Sequence, residues 1–154
     1  MFLQYSAFPL NNADHFQPKA LTCPEEKMDG DKPWCLPGYY DYLEPPMKED
    51  EKMELDFVFT IEEIRDVDDE RETIQIEIYL ERQWKDERIQ INQKNPHWSR
   101  TGNLPLSLDI LNHIWKPLIK IQNLVDFKKH KVIEDLAGLI INKDKIIKHI
   151  LQLI

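Results

Sequence analysis

The sequence predicts an all-β protein, most simply an antiparallel β-sandwich preceded by a Pro-rich arm. Three observations carry that expectation. Alternation of apolar and polar residues, the period of a half-buried strand, begins abruptly at Met53 and recurs in short runs. Charged or polar connectors separate the runs. Before position 50 the pattern is absent, and that stretch holds Pro9, Pro18, Pro24, Pro33, Pro37, Pro45 and Pro46 of the ten prolines, as expected of an extended, turn-rich arm. The expected division is therefore an arm over 1–50 and a sandwich over 51–154.

In the first strand, Met53, Leu55, Phe57, Phe59 and Ile61 alternate with Glu54, Asp56, Val58, Thr60 and Glu62. The stretch RDVDDERE that follows has no apolar side to bury, so it is expected to protrude as a loop at one end of an antiparallel pair. Ile74, Ile76, Ile78 and Leu80 give a second strand, and Ile89 and Ile91 a short third. After Asn95-Pro96 the alternation lapses. LSLDILNHIW fits a brief helical turn, with Ser107 as its cap ahead of Leu108, Leu111 and Ile114. IWKPLIKIQNLVDF returns to alternation, with Ile119 and Ile121 inward and Lys120 and Gln122 outward. LAGLIINKDKIIKHI reads as strand, polar turn at 142–145, and strand, although the last ten residues also fit a helix with Ile146, Ile147, Ile150 and Leu151 on one face.

The bulk properties bound the function. With 154 residues, 42% hydrophobic and 31% charged, the chain suits one soluble globular domain. A net charge of -8 argues against nucleic acid, whose phosphates call for clustered Lys and Arg; small cations or basic surfaces suit it better. The start, MFLQYSAFPLNNADHF, has neither a basic region nor an unbroken apolar run, and KIIKHILQLI is too short to span a bilayer. As written, the chain reads as lacking a signal peptide and a transmembrane segment.

Eleven residues separate Cys23 from Cys35, which would form a disulfide in an oxidising compartment and remain two thiols in the cytosol. His15, His97, His113, His130 and His149 are scattered without metal-ligand spacing, so no metal or cofactor is expected. Nor is an enzyme: no nucleophile has a base at motif spacing, four glycines form no phosphate loop, and the acid pairs Glu62-Glu63 and Asp68-Asp69 sit in solvated runs. Trp84 and Trp115 read as structural rings, and Asp86 with Arg88 as a structural ion pair.

One residue stands apart. Tyr79 shares the polar side of its strand with Gln75, Glu77 and Glu81, so its ring either covers a cross-strand neighbour or is offered to a ligand. LPGYYDYLEPP, the alternating strand, the acidic connector, TIQIEIYLERQWKDERI and LPLSLDILNHIWKP stand in the order found in the extracellular domain of Cys-loop receptors, the pentameric ligand-gated ion channels. The chain resembles that family over positions 35 to 145, most specifically at its YLERQWKDER stretch.

The resemblance implies a β-sandwich of a channel subunit that binds a small-molecule neurotransmitter at the interface with other subunits, in a homo- or hetero-pentamer on the extracellular side of the plasma membrane, and couples binding to a pore. Tyr79 matches the aromatic of loop D. Gln122 stands where loop A commonly has an aromatic, and Glu81 where receptors for acidic transmitters carry arginine, so an amine-like ligand is implied. Asp66, Val67, Asp68 and Asp69 match the loop that presses on the membrane domain during gating. Trp115 and Pro117 match a Trp-x-Pro motif, in which Leu118 replaces the usual aspartate. The Cys-x13-Cys hairpin, later binding loops and pore helices are not in this sequence, so a truncated subunit is expected. The alternative is a soluble, pore-less binding or regulatory module that docks on full-length subunits.

Overall fold

The computed structural model describes residues 21–23, 32–47, 52–122, 126 and 137–153. Its elements are β1 (Trp34–Cys35), β2 (Leu55–Asp68), β3 (Thr73–Lys85), β4 (Gln90–Ile91), β5 (Asn103–Leu106), a 3-10 helix (Leu108–Asn112), β6 (Ala137–Asn142) and β7 (Ile146–Leu153). Five strands form an antiparallel sheet in the order β2-β3-β7-β6-β5, and β1 pairs antiparallel with β4 in a second, two-stranded sheet. The all-β, sandwich-like expectation holds.

Strand register explains which residues are inside. Partners that face each other across a ladder share one face of a sheet. Leu55 pairs with Trp84, Trp84 with Ile147 and Ile147 with Ile141, so these apolar side chains line one face. Against it pack Trp34, Leu36, Tyr40, Trp98, Ile114 and Trp115 from the second sheet and the loops. Trp84 and Trp115 meet edge to face at 6.3 Å, consistent with the structural role the sequence assigns them. Farther down the same face, Ile78, Leu80 and Leu153 form a second buried cluster with Phe57, Ile76, Ile119 and Leu151 against it.

Arg82 stands on this core face, opposite His149. Its guanidinium donates through Nε to His149 Nδ1 at 2.9 Å and through Nη1 to the carbonyl of Pro117 at 2.6 Å. Burial pushes its pKa down to about 10.

Several elements depart from the sequence expectation. The first strand does not stop near Ile61 but runs to Asp68, so Asp66, Val67 and Asp68 belong to a strand and not to a loop; only Asp69 of that group lies in the turn. The cause is a pair of bulges. Ile61 faces Ile78 and Glu63 faces Glu77, leaving Glu62 extra; Arg65 faces Gln75 and Val67 faces Ile74, leaving Asp66 extra at φ 39°. Each extra residue shifts the phase, so Ile61, Ile64 and Val67 keep one face despite their three-residue spacing.

Four other elements differ from or sharpen the reading. Residues 115–121 form no strand, although Ile119 does pack inward and Lys120 is exposed. Asn103–Leu106 forms a strand in the stretch where the regular alternation lapses, and it accommodates Pro105 because β5 is a sheet edge, where a missing N–H costs least. The helical turn at Leu108 exists as a 3-10 helix, but Ser107 makes no side-chain cap bond. The final segment is strand, not helix, because β7 inserts between β3 and β6 and both its edges are paired.

Candidate functional site

Tyr79 occupies the face of β3 turned away from the core. Across the ladders it faces Thr60 on β2 and Gln152 on β7, and its neighbours along β3 on this face are Glu77 and Glu81. The ring is half-buried, although its strand face is polar. The same face of β7 presents Lys148 and Ile150 beside Gln83 and Glu81.

Each carboxylate beside Tyr79 has a cation or an amide on it. Glu81 accepts from Lys148 Nζ at 2.7 Å and from Gln83 Nε2 at 2.8 Å. Glu77, buried, accepts from Arg65 Nη2 at 3.0 Å on one oxygen and from Gln152 Nε2 at 2.6 Å on the other. Arg65 also pairs with Glu63, whose hydrogen bond and charge raise its pKa above the ordinary arginine value. Glu62 reaches the Gln152 amide at 3.4 Å. The face is therefore a polar network of Glu62, Glu63, Glu77 and Glu81 against Arg65 and Lys148, with one aromatic in the middle.

The remaining residues singled out from the sequence separate into distinct places. Gln122 is exposed in a turn after residues 115–121, and among the described residues no hydrogen bond ties it to Tyr79 or Glu81. Val67 is exposed at the end of the β2–β3 hairpin, beyond the reach of β7, whose pairing with β3 stops at Ile78. Asp68 caps the turn by accepting from the Arg71 backbone N–H at 3.0 Å.

Asp86 and Arg88 form the ion pair the sequence suggests, at 2.9 Å, but they are part of a larger junction. The fully buried Asp86 also accepts from the Tyr40 hydroxyl at 2.7 Å, and that hydroxyl in turn accepts from the Trp115 backbone N–H at 3.0 Å. Arg88 stacks 4.3 Å from the Tyr40 ring centroid and donates to the carbonyls of Asp41 and Glu44. Burial works against the Arg88 charge, yet the hydrogen bond and charge of Asp86 hold its pKa above the ordinary value. Tyr40 was not legible as part of this junction, since it lies 46 residues away from Asp86.

Cys23 and Cys35 form a disulfide, with Cα atoms 5.0 Å apart. It is flanked by the Cys23 N–H to Leu36 carbonyl bond and the Leu36 N–H to Leu21 carbonyl bond, both 2.8 Å. Together they fasten residues 21–23 beside β1.

Among the described residues no group of three or more His, Cys, Asp or Glu could hold a metal ion, and no helix is long and apolar enough to cross a membrane. Comparison with family models places residues 34–154 in a match to the neurotransmitter-gated ion-channel ligand binding domain. Comparison with curated proteins finds no match.

Proposed function

Because the chain belongs to the neurotransmitter-gated ion-channel ligand-binding domain family, a family of extracellular receptor domains and not of enzymes, we propose that the Tyr79 face takes part in binding an amine-like transmitter at a contact between subunits. The observation that carries this reading is the half-buried aromatic set in an acidic network on the sheet face opposite the core. A ring face attracts a cation by about 0.5–2 kcal/mol, more as water is excluded, and a neighbouring subunit closing over this face would exclude it.

Glu81 supports a cation over an acid at this place, because a transmitter carboxylate would meet a carboxylate. Lys148 tempers that preference by pairing with it. The β2–β3 hairpin, carrying Asp66, Val67, Asp68 and Asp69 at its end, is proposed as the part that passes the binding event to a pore outside this chain. The Cys23–Cys35 disulfide fits an oxidising, extracellular setting. Gln122 is proposed as a lesser contributor, since its polar side chain offers no ring to a cation.

The test is an NMR titration of the 154-residue chain with 2-phenylethylamine, choline and glutamate. The amines should shift the Tyr79 ring signals and glutamate should not, and Glu81→Arg should weaken the amines and admit glutamate. Tyr79 signals that respond to no amine, or respond equally to glutamate, would refute the proposal.

A further inference from the structure

Gln152 makes an unusual contribution to the polar network. It is 9% exposed, and its Nε2 donates to Glu77 Oε1 at 2.6 Å and lies 3.4 Å from Glu62 Oε2. Those two carboxylates fix the amide's orientation, because the reverse setting would put its oxygen against theirs. Its Oε1, thus turned away from them, is buried and has no hydrogen-bond partner among the described residues. A buried acceptor left unpaired is disfavoured, so a donor that reaches it restores what burial has cost.

The position of that oxygen matters. Gln152 is the cross-strand partner of Tyr79, and the ring and the amide therefore share one spot on the sheet face. An ammonium drawn to the Tyr79 ring would come within side-chain reach of an acceptor that wants an N–H. Glu77 and Glu81 flank the same spot along β3, each already partnered, by Arg65 and by Lys148, so the unpaired Gln152 oxygen is the acceptor there that lacks a donor among the described residues.

We infer that Gln152 is a specificity-determining residue that selects primary and secondary ammonium ligands over quaternary ones, by accepting a ligand N–H at Oε1. This rests on the proposed role of Tyr79. A quaternary ammonium satisfies the ring as well as a primary one does but has no N–H, and so leaves the oxygen unpaired. The oxygen is covered in the free protein, so a ligand reaches it by displacing its cover, and the Gln152 side-chain amide signals report that event.

The experiment compares 2-phenylethylamine with its N,N,N-trimethyl analogue on the 154-residue chain by NMR, reading the Tyr79 ring and the Gln152 amide separately. Wild type should bind the primary amine about tenfold more tightly, the size expected of one hydrogen bond from a charged donor. Only the primary amine should shift the Gln152 amide. Gln152→Met should bring the primary amine to the level of the trimethyl analogue, so that the ratio of the two affinities falls to about one.

Equal affinities in wild type, which need no variant and no assumption about its folding, would overturn the role of Gln152 while leaving that of Tyr79 standing. A preference that survives in Gln152→Met would do the same. If neither amine shifts Tyr79 or Gln152, both readings fail together.

Discussion

Replacing Asp86 by Asn tests the junction beneath the five-stranded sheet most directly. The carboxylate is fully buried, and four donors converge on it: the Tyr40 hydroxyl, the Arg88 backbone N–H, and the Arg88 Nε and Nη2 at 2.9 Å each. An amide of the same shape keeps at most part of this set and withdraws the negative charge from a guanidinium that is itself mostly buried. Breaking a buried pair costs about 3–5 kcal/mol. Arg88 retains the carbonyls of Asp41 and Glu44, so the lower end applies, about 3 kcal/mol.

Against a typical stability of about 5–15 kcal/mol that is a large share. Urea unfolding followed by tryptophan fluorescence measures it, with an unchanged slope showing that the unfolded state is not altered. Tyr40→Phe removes the hydroxyl that joins Asp86 to the Trp115 backbone and should cost about 1–3 kcal/mol. The two changes share one hydrogen bond, so the double variant should fall short of their sum by about 1 kcal/mol. An Asp86→Asn loss below about 1 kcal/mol, or full additivity, would show that the junction does not anchor the fold as argued.

Tyr40 should also make stability depend on alkaline pH. Burial first, then the charge and hydrogen bond of Asp86, raise its pKa well above the ordinary tyrosine value, so its contribution is complete below about pH 10 and declines as pH rises, because only the unfolded state releases the proton. The stability of wild type relative to Tyr40→Phe should fall above that pH; Arg82, whose lowered pKa acts in the opposite direction, is common to both and cancels, and a flat difference would refute the assignment.

Reducing the Cys23–Cys35 disulfide, or replacing both residues by Ser, should cost about 3 kcal/mol from the short loop it closes, measured by urea unfolding with and without reductant; no change would mean the arm is held by its backbone bonds alone. Ile61 and Ile64 are more than half exposed on β2, the edge of the sheet, so Ile61→Thr with Ile64→Lys should reduce self-association in sedimentation while changing stability by less than about 1 kcal/mol; unchanged association would place the sticky surface elsewhere.

How far the fold was legible follows from where the period of two is kept. From Ile74 to Leu80 every second residue is apolar, the register with β7 has no slip, and sequence and structure agree. The β6–β7 hairpin is legible only in part: the polar turn at 142–145 interrupts two apolar runs, but the last ten residues also fit a helix until β7 is paired on both edges, and Asn142 Oδ1 closes the turn by accepting from the N–H groups of Asp144 and Ile146. Past Ile61 the apolar residues come at intervals of three, at Ile64 and Val67, and alternation read from sequence has to stop there. The strand continues because bulges at Glu62 and Asp66 take up the extra residues, and sequence pattern alone carries no signal for a bulge in a solvated hairpin.

The site divides in the same way. That Tyr79 lies on the polar face needed only its parity with Glu77 and Glu81, and this was readable. That Gln152 lies opposite it needed the pairing of strands 73 residues apart along the chain, fixed by tertiary register and not by any local pattern. The charge on that face was misleading in the sequence for a related reason. Glu81 reads as a lone acid in YLERQW, but Lys148 from β7 meets its charge, so on the proposed reading a ligand there meets an acid that is partly neutralised. If so, Lys148→Gln should strengthen binding of a primary amine in the same NMR titration while Lys148→Arg leaves it unchanged, and a loss of binding in Lys148→Gln would mean that the lysine holds the face in shape instead of tempering its charge.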